Sequence, residues 1–83
     1  MTWNYRVLAK KEIYRDTEEI YFEIHSVYYD ENGVPNGYSS EPEKIGSETL
    51  KGINWTLNKM KTALKKEILW GDEKFPQVYI KTK

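Results

Sequence analysis

Hydrophobic and polar positions along the chain alternate with two periods, and each period predicts its own elements. Residues 3–9 alternate with a period of two, placing Trp3, Tyr5, Val7 and Ala9 on one side and Asn4, Arg6 and Leu8 on the other. That pattern predicts a strand. Residues 10–18 (KKEIYRDTE) are charged and are expected to hold the first turn. A long β-rich run follows over 19–29, with Ile20, Phe22, Ile24 and Tyr28 on one face and Tyr21, Glu23, His25, Val27 and Tyr29 on the other. The Ile20–Phe22–Ile24 face is the better core candidate. The second face mixes polar and aromatic groups, as in an antiparallel sheet with one side open to water.

The segment YYDENGV reads as a tight hairpin turn. Asp30 starts it, Glu31 and Asn32 fill its centre, and Gly33 takes positive φ. Residues 34–40 are expected to return as a short edge strand, because Pro35 and Gly37 lie inside it. A calcium loop fits poorly. Asp30, Asn32 and Glu41 match the first, third and twelfth positions of an EF-hand loop, but its glycine position is Pro35 and its fifth ligand position is Val34.

After a Pro- and Gly-containing linker at 41–47, the period changes to that of a helix. Leu50, Ile53, Leu57, Met60, Leu64 and Ile68 share one stripe, with Ser47 or Thr49 as the cap. The helix is expected to stop near Glu67 or at Gly71. The tail around FPQVYIK carries one more short strand signature or an extended arm. The expected fold is therefore α+β: a three-stranded antiparallel sheet packed by one amphipathic helix, with an extended C-terminal arm or short strand. Its expected core is Trp3, Val7, Ile20, Phe22, Ile24, Leu50, Ile53, Leu57, Met60 and Leu64.

At 83 residues the chain is expected to form a single domain over residues 1–83. It has no Cys, which removes disulfides, thiolate chemistry and cysteine-based metal sites. The N-terminal MTWNYRVLAKKE does not read as a signal peptide, and no apolar run approaches a membrane span. A cytoplasmic location without membrane partners is expected. The Lys-, Ile-, Asn- and Tyr-rich composition fits an AT-rich bacterial or phage genome. Net charge is zero but unevenly spread. Residues 1–43 hold 4 Lys/Arg against 9 Asp/Glu, and residues 44–83 hold 9 against 4. Either the halves interleave on folding, or a basic face is offered to an acidic partner.

The pieces WNYRV at 3–7, EIHSVYYDENGVPNGYSSEP at 23–42 and ETLKGINWTLNKMKTAL at 48–64 together resemble a family of small bacterial proteins of uncharacterised function. Members read roughly WNYRV, then IHEVYYD with a Gly turn and a following Pro, then an amphipathic helix. The resemblance covers about two-thirds of the chain and implies a shared fold, with no activity attached. Gly52 and the Lys-rich helix surface depart from the family pattern. The layout is also similar to the βββα unit of double-stranded RNA-binding domains and HicB-type antitoxins, an analogy of fold alone.

The sequence offers little for catalysis. His25 is the single His and reads as a packed or surface residue, with no second His for a metal pair and no spacing that builds a Ser-His-Asp set. The carboxylates Asp16, Glu18 and Glu19 sit in the expected turn, without an apolar setting. GVPNG lacks the Lys and helix start of a phosphate loop. No enzyme activity, cofactor or metal is expected.

The residue out of pattern is Trp55. It points about 140° round the helix from Leu50, away from the apolar stripe. Lys51, Asn58, Lys59, Thr62 and Lys66 share its side. Two readings follow. The C-terminal arm, with Trp70, Phe75 and Tyr79, folds back and covers it, or Trp55, Lys51, Lys59, Thr62 and Lys66 form a partner-binding surface. The latter predicts a non-catalytic protein-interaction module: a small bacterial or phage regulator or inhibitor of a nucleoprotein or nuclease complex, of anti-CRISPR type. The alternative is an RNA-binding module of the βββα kind, against which stand zero net charge and a helix without Arg.

Overall fold

A long β-hairpin forms the spine of the fold. In the computed structural model, which describes residues 2–81, β1 (Thr2–Tyr14) pairs antiparallel with β2 (Thr17–Tyr29) without a register break from Thr2↔Tyr29 to Tyr14↔Thr17. The charged stretch 10–18 is therefore mostly strand. Its turn is only Arg15 and Asp16, both at positive φ (50° and 65°), as a two-residue hairpin loop demands. Lys11 and Glu18 approach to 3.9 Å across the two strands, which accommodates charge there.

The second turn matches its expectation. Gly33 has φ 78° and donates its N–H to Asp30 O at 3.0 Å. Asp30 Oδ1 accepts from the N–H groups of Asn32 (2.8 Å) and Val34 (2.9 Å), so that carboxylate oxygen ties the turn together. Strand β3 (Pro35–Tyr38) then forms the expected edge of the sheet beside β2. A Cβ at Gly33 meets nothing within 4 Å, so only backbone strain opposes it. Gly33→Ala should cost about 1 kcal/mol in urea unfolding, while calcium should leave the melting temperature unchanged.

The sheet has four strands in the order β3-β2-β1-β4, not three, and it is mixed rather than antiparallel. The additional strand, β4 (Leu69–Trp70), pairs parallel to β1 at Leu8 and Ala9. It forms because Leu69 fills a buried slot against Leu8 and Val27, with Tyr29, Tyr38 and Phe75 packed around them. The broad α+β expectation holds.

Helix α1 (Leu50–Thr62) is capped by Thr49, whose hydroxyl accepts from Gly52 N, and ends in a short 3₁₀ turn over Ala63–Lys65. Both it and the 3₁₀ turn lie against β1. The expected core needs correction here. Val7 and Met60 are buried and Ile20, Ile24 and Ile53 are half-buried, but Trp3, Phe22, Leu50, Leu57 and Leu64 are exposed. The helix is rolled by roughly 100° from the leucine stripe, at 3.6 residues per turn. It faces the sheet with Gly52, Ile53, Thr56, Met60 and Ala63. Gly52 also lets the linker before the helix fold close over its first turn. A Cβ on Gly52 would collide with the Ser47 side chain, and the Thr56 hydroxyl is satisfied by Gly52 O at 3.0 Å. Among the described residues no helix is long and apolar enough to cross a membrane.

Candidate functional site

Rolling the helix onto its small residues leaves two shoulders out of the core. One carries Leu50, Leu57 and Leu64. The other carries Trp55, Lys59 and Thr62, at spacings of 4 and 3 that align them in one stripe, continued by Lys66 just past the helix. This second shoulder faces the start of β1. Between the two lies a cleft of about 540 Å³, lined on the strand side by Trp3, Asn4 and Tyr5 and on the helix side by Trp55, Lys59, Thr62 and Lys66. Four of the five residues expected in a binding surface thus come together, and Lys51 is not among those lining the cleft. The strand contribution was not foreseen from the sequence, which assigned Trp3 to the core.

Trp55 is 54% exposed and Trp3 51%. The Lys59 ammonium stands 5.6 Å from the centroid of the Trp55 ring, within cation–π range. Trp3 and Tyr5 meet edge to face at 5.2 Å. Among the described residues the C-terminal arm does not cover Trp55. Its aromatics go elsewhere: Trp70 packs on Tyr79, Tyr79 on Phe22, and Phe75 on Tyr38.

A hydrogen-bond chain fixes the strand side relative to the helix end. Arg6 Nη2 donates to Glu67 O (2.7 Å), Arg6 Nη1 to the Tyr29 hydroxyl (2.8 Å), and that hydroxyl to Asn4 Oδ1 (2.7 Å). The cleft is electropositive by composition, since among the described residues its lining holds two lysines and no acid. The ion pairs among the described residues use Lys10, Lys11, His25, Glu18, Glu23 and Asp72, and none uses a helix lysine. Charge therefore stays segregated on the helix surface instead of being cancelled by the acidic first half.

Burial raises the Tyr5 phenol above its ordinary value of 10.0, and the Glu43 carboxylate, which accepts from the Ser26 hydroxyl, adds to the rise. A raised value means the fold favours the neutral phenol. That contribution to stability is present below the unfolded value and lost as pH climbs through the folded one. In a 295 nm titration, subtracting Tyr5→Phe from wild type should isolate a tyrosine titrating above pH 10. A midpoint at or below 10 would contradict this environment.

His25 forms a second cluster, of a different kind. It is fully buried, with Nδ1 on Ser39 O (2.9 Å) and Ser39 Oγ (3.2 Å), and Nε2 on Glu23 Oε1 (2.8 Å). The structure thus unites a Ser, a His and a Glu that sequence spacing did not connect. Their hydrogen bonds are those of a strut. The Ser39 hydroxyl donates to Glu41 O at 2.9 Å, which leaves it no proton for His25, and the ring is sealed beneath Tyr38 at 5.3 Å. Among the described residues no group of three or more His, Cys, Asp or Glu is placed to hold a metal ion.

Comparison with known proteins returns no match: no family model, no curated protein and no solved structure is similar to this chain.

Proposed function

We propose that the chain is a non-catalytic protein-interaction module that presents the Trp55 cleft to an acidic partner surface. The observation that carries this reading is the pair of half-exposed tryptophans, Trp3 and Trp55, facing one cleft whose charged lining, among the described residues, is Lys59 and Lys66. Leaving two indoles in water costs stability that burial against a partner would recover, and Trp is a preferred anchor at interfaces. In this reading the module is a small bacterial or phage regulator or inhibitor acting on a nucleoprotein or nuclease complex, the manner of an anti-CRISPR antagonist.

A second reading, direct RNA binding, draws on the same composition, because aromatic rings with neighbouring lysines also suit stacked bases and phosphates. Salt separates the two. Against a protein partner, Lys59→Glu with Lys66→Glu should mainly slow association, by about ten-fold at low salt and less as salt screens the steering. An RNA ligand would instead give an affinity falling linearly in log salt, with naked RNA competing on its own. Surface plasmon resonance on the wild type and the double variant reads both. An unchanged association rate in the double variant would remove the lysines from the account.

A further inference from the structure

The strand wall of the cleft is an open sheet edge. In an antiparallel pair, alternate residues turn both backbone groups away from the partner strand. On β2 these include Ile24 and Ser26, whose carbonyls accept from Glu43 N and Ser39 N on the far side. Their partners on β1 are Val7 and Tyr5, and the same phase carries to Trp3 and to Ala9, whose carbonyl accepts from Gly71 N. The outward groups of β1 are therefore those of Trp3, Tyr5, Val7 and Ala9. Strand β4 pairs only with Leu8 and Ala9. At Trp3 and Tyr5 the edge opens into the cleft, opposite Trp55, Lys59 and Lys66.

Exposed edges invite strand pairing, and proteins commonly guard them with charge. The free distal part of the hairpin is guarded in this way by Lys11, Glu12, Glu18 and Glu19. The edge at Trp3 and Tyr5 carries no acid among its described neighbours: Trp3, Asn4 and Tyr5 line it, the charged residues across the cleft are both cationic, and the adjacent Arg6 is tied back to Glu67 O.

We infer that the cleft takes an extended acidic segment of a partner protein, which adds as a short strand to the β1 edge at residues 3–5. This rests on the proposed reading of the cleft as the binding surface and names the form of the ligand. Backbone hydrogen bonds to Trp3 and Tyr5 supply register, and pockets for alternate side chains supply selectivity. A strand places every second side chain on one face. One such side chain is apolar and lies among Trp3, Tyr5 and Trp55. The next on the same face, two residues away, is a carboxylate reaching Lys59 or Lys66. The recognised pattern is therefore an apolar residue and an acidic residue with one residue between them. A folded acidic surface or a helix could meet the lysines but would leave the edge unpaired.

The probe is a phage-displayed library of random 12-residue peptides, selected on the whole chain and on Trp55→Ala. The expected outcome is enrichment, on the wild type alone, of sequences with an Asp or Glu two residues from an apolar residue. The enriched peptide is then synthesised in two forms, with alternate backbone nitrogens methylated in one register or the other. Strand addition predicts at least about a ten-fold loss in the register that faces β1, and a change under about three-fold in the other. Equal behaviour of the two registers, with binding still lost in Trp55→Ala, would overturn strand addition and leave the cleft standing. Enrichment that persists on Trp55→Ala would overturn the cleft reading as well. Failure to enrich any acidic–apolar pattern on the wild type would overturn the inference.

Discussion

Leu8→Ala should destabilise the protein by about 2–5 kcal/mol, and Leu57→Ala by less than about 1 kcal/mol, in urea unfolding monitored by tryptophan fluorescence. The contrast follows from placement. Leu8 is wholly enclosed between Val27 and Leu69, where truncation leaves a cavity that the paired strands cannot close. Leu57 is 45% exposed on the shoulder of the helix, so its removal takes away little buried surface. By amphipathic periodicity alone the order should be reversed, because Leu57 sits at the centre of the regular stripe. Equal losses in the two variants would mean that the helix is rolled with its leucines inward.

Trp55→Ala should weaken partner binding by about 2 kcal/mol or more, roughly thirty-fold, with little change in the fold. The side chain is half exposed and its ring packs beside Lys59, not within the buried set, so truncation removes a contact surface without opening the core. Far-ultraviolet circular dichroism and the urea midpoint should stay near those of the wild type. Global unfolding of Trp55→Ala would show that the indole is structural and would shift the search for an interface to the sheet face bearing Tyr21 and Tyr29.

Much of the fold was legible locally. Alternation marked β1 and β2, Asp30 and Gly33 marked the second turn, Pro35 and Gly37 marked an edge strand, and Thr49 capped the helix as its side chain permits. What failed was information that local pattern does not contain. The seven-residue recurrence of Leu50, Leu57 and Leu64 fixes which residues share a stripe, but not whether the sheet meets that stripe or its neighbour. Here the neighbour won: Gly52, Ile53, Thr56, Met60 and Ala63 are the positions turned from solvent, and Met60 and Ala63 are buried.

The charged run 10–18 hid two strand ends, because the exposed ladder there tolerates charge, with Lys11 diagonal to Glu18 and Glu12 directly opposite Glu19, and the turn itself needs only Arg15 and Asp16. β4 is two residues long, and only tertiary contact with Leu8 and Val27 makes it a strand. The helix half of the candidate site was readable, since Trp55 broke the amphipathic pattern among lysines. The strand half was not, because alternation alone makes Trp3 look like a core residue. Its exposure depends on how far the helix covers the sheet.

Affinity capture from the source cell tests most directly whether the Trp55 cleft is a protein-binding surface. Immobilised wild type, Trp55→Ala and Lys59→Glu/Lys66→Glu are compared, each with and without RNase. A protein-binding cleft predicts a partner protein held by the wild type after RNase treatment, lost on Trp55→Ala and reduced on the lysine double variant. A partner retained equally by Trp55→Ala, or one released by RNase, would contradict it.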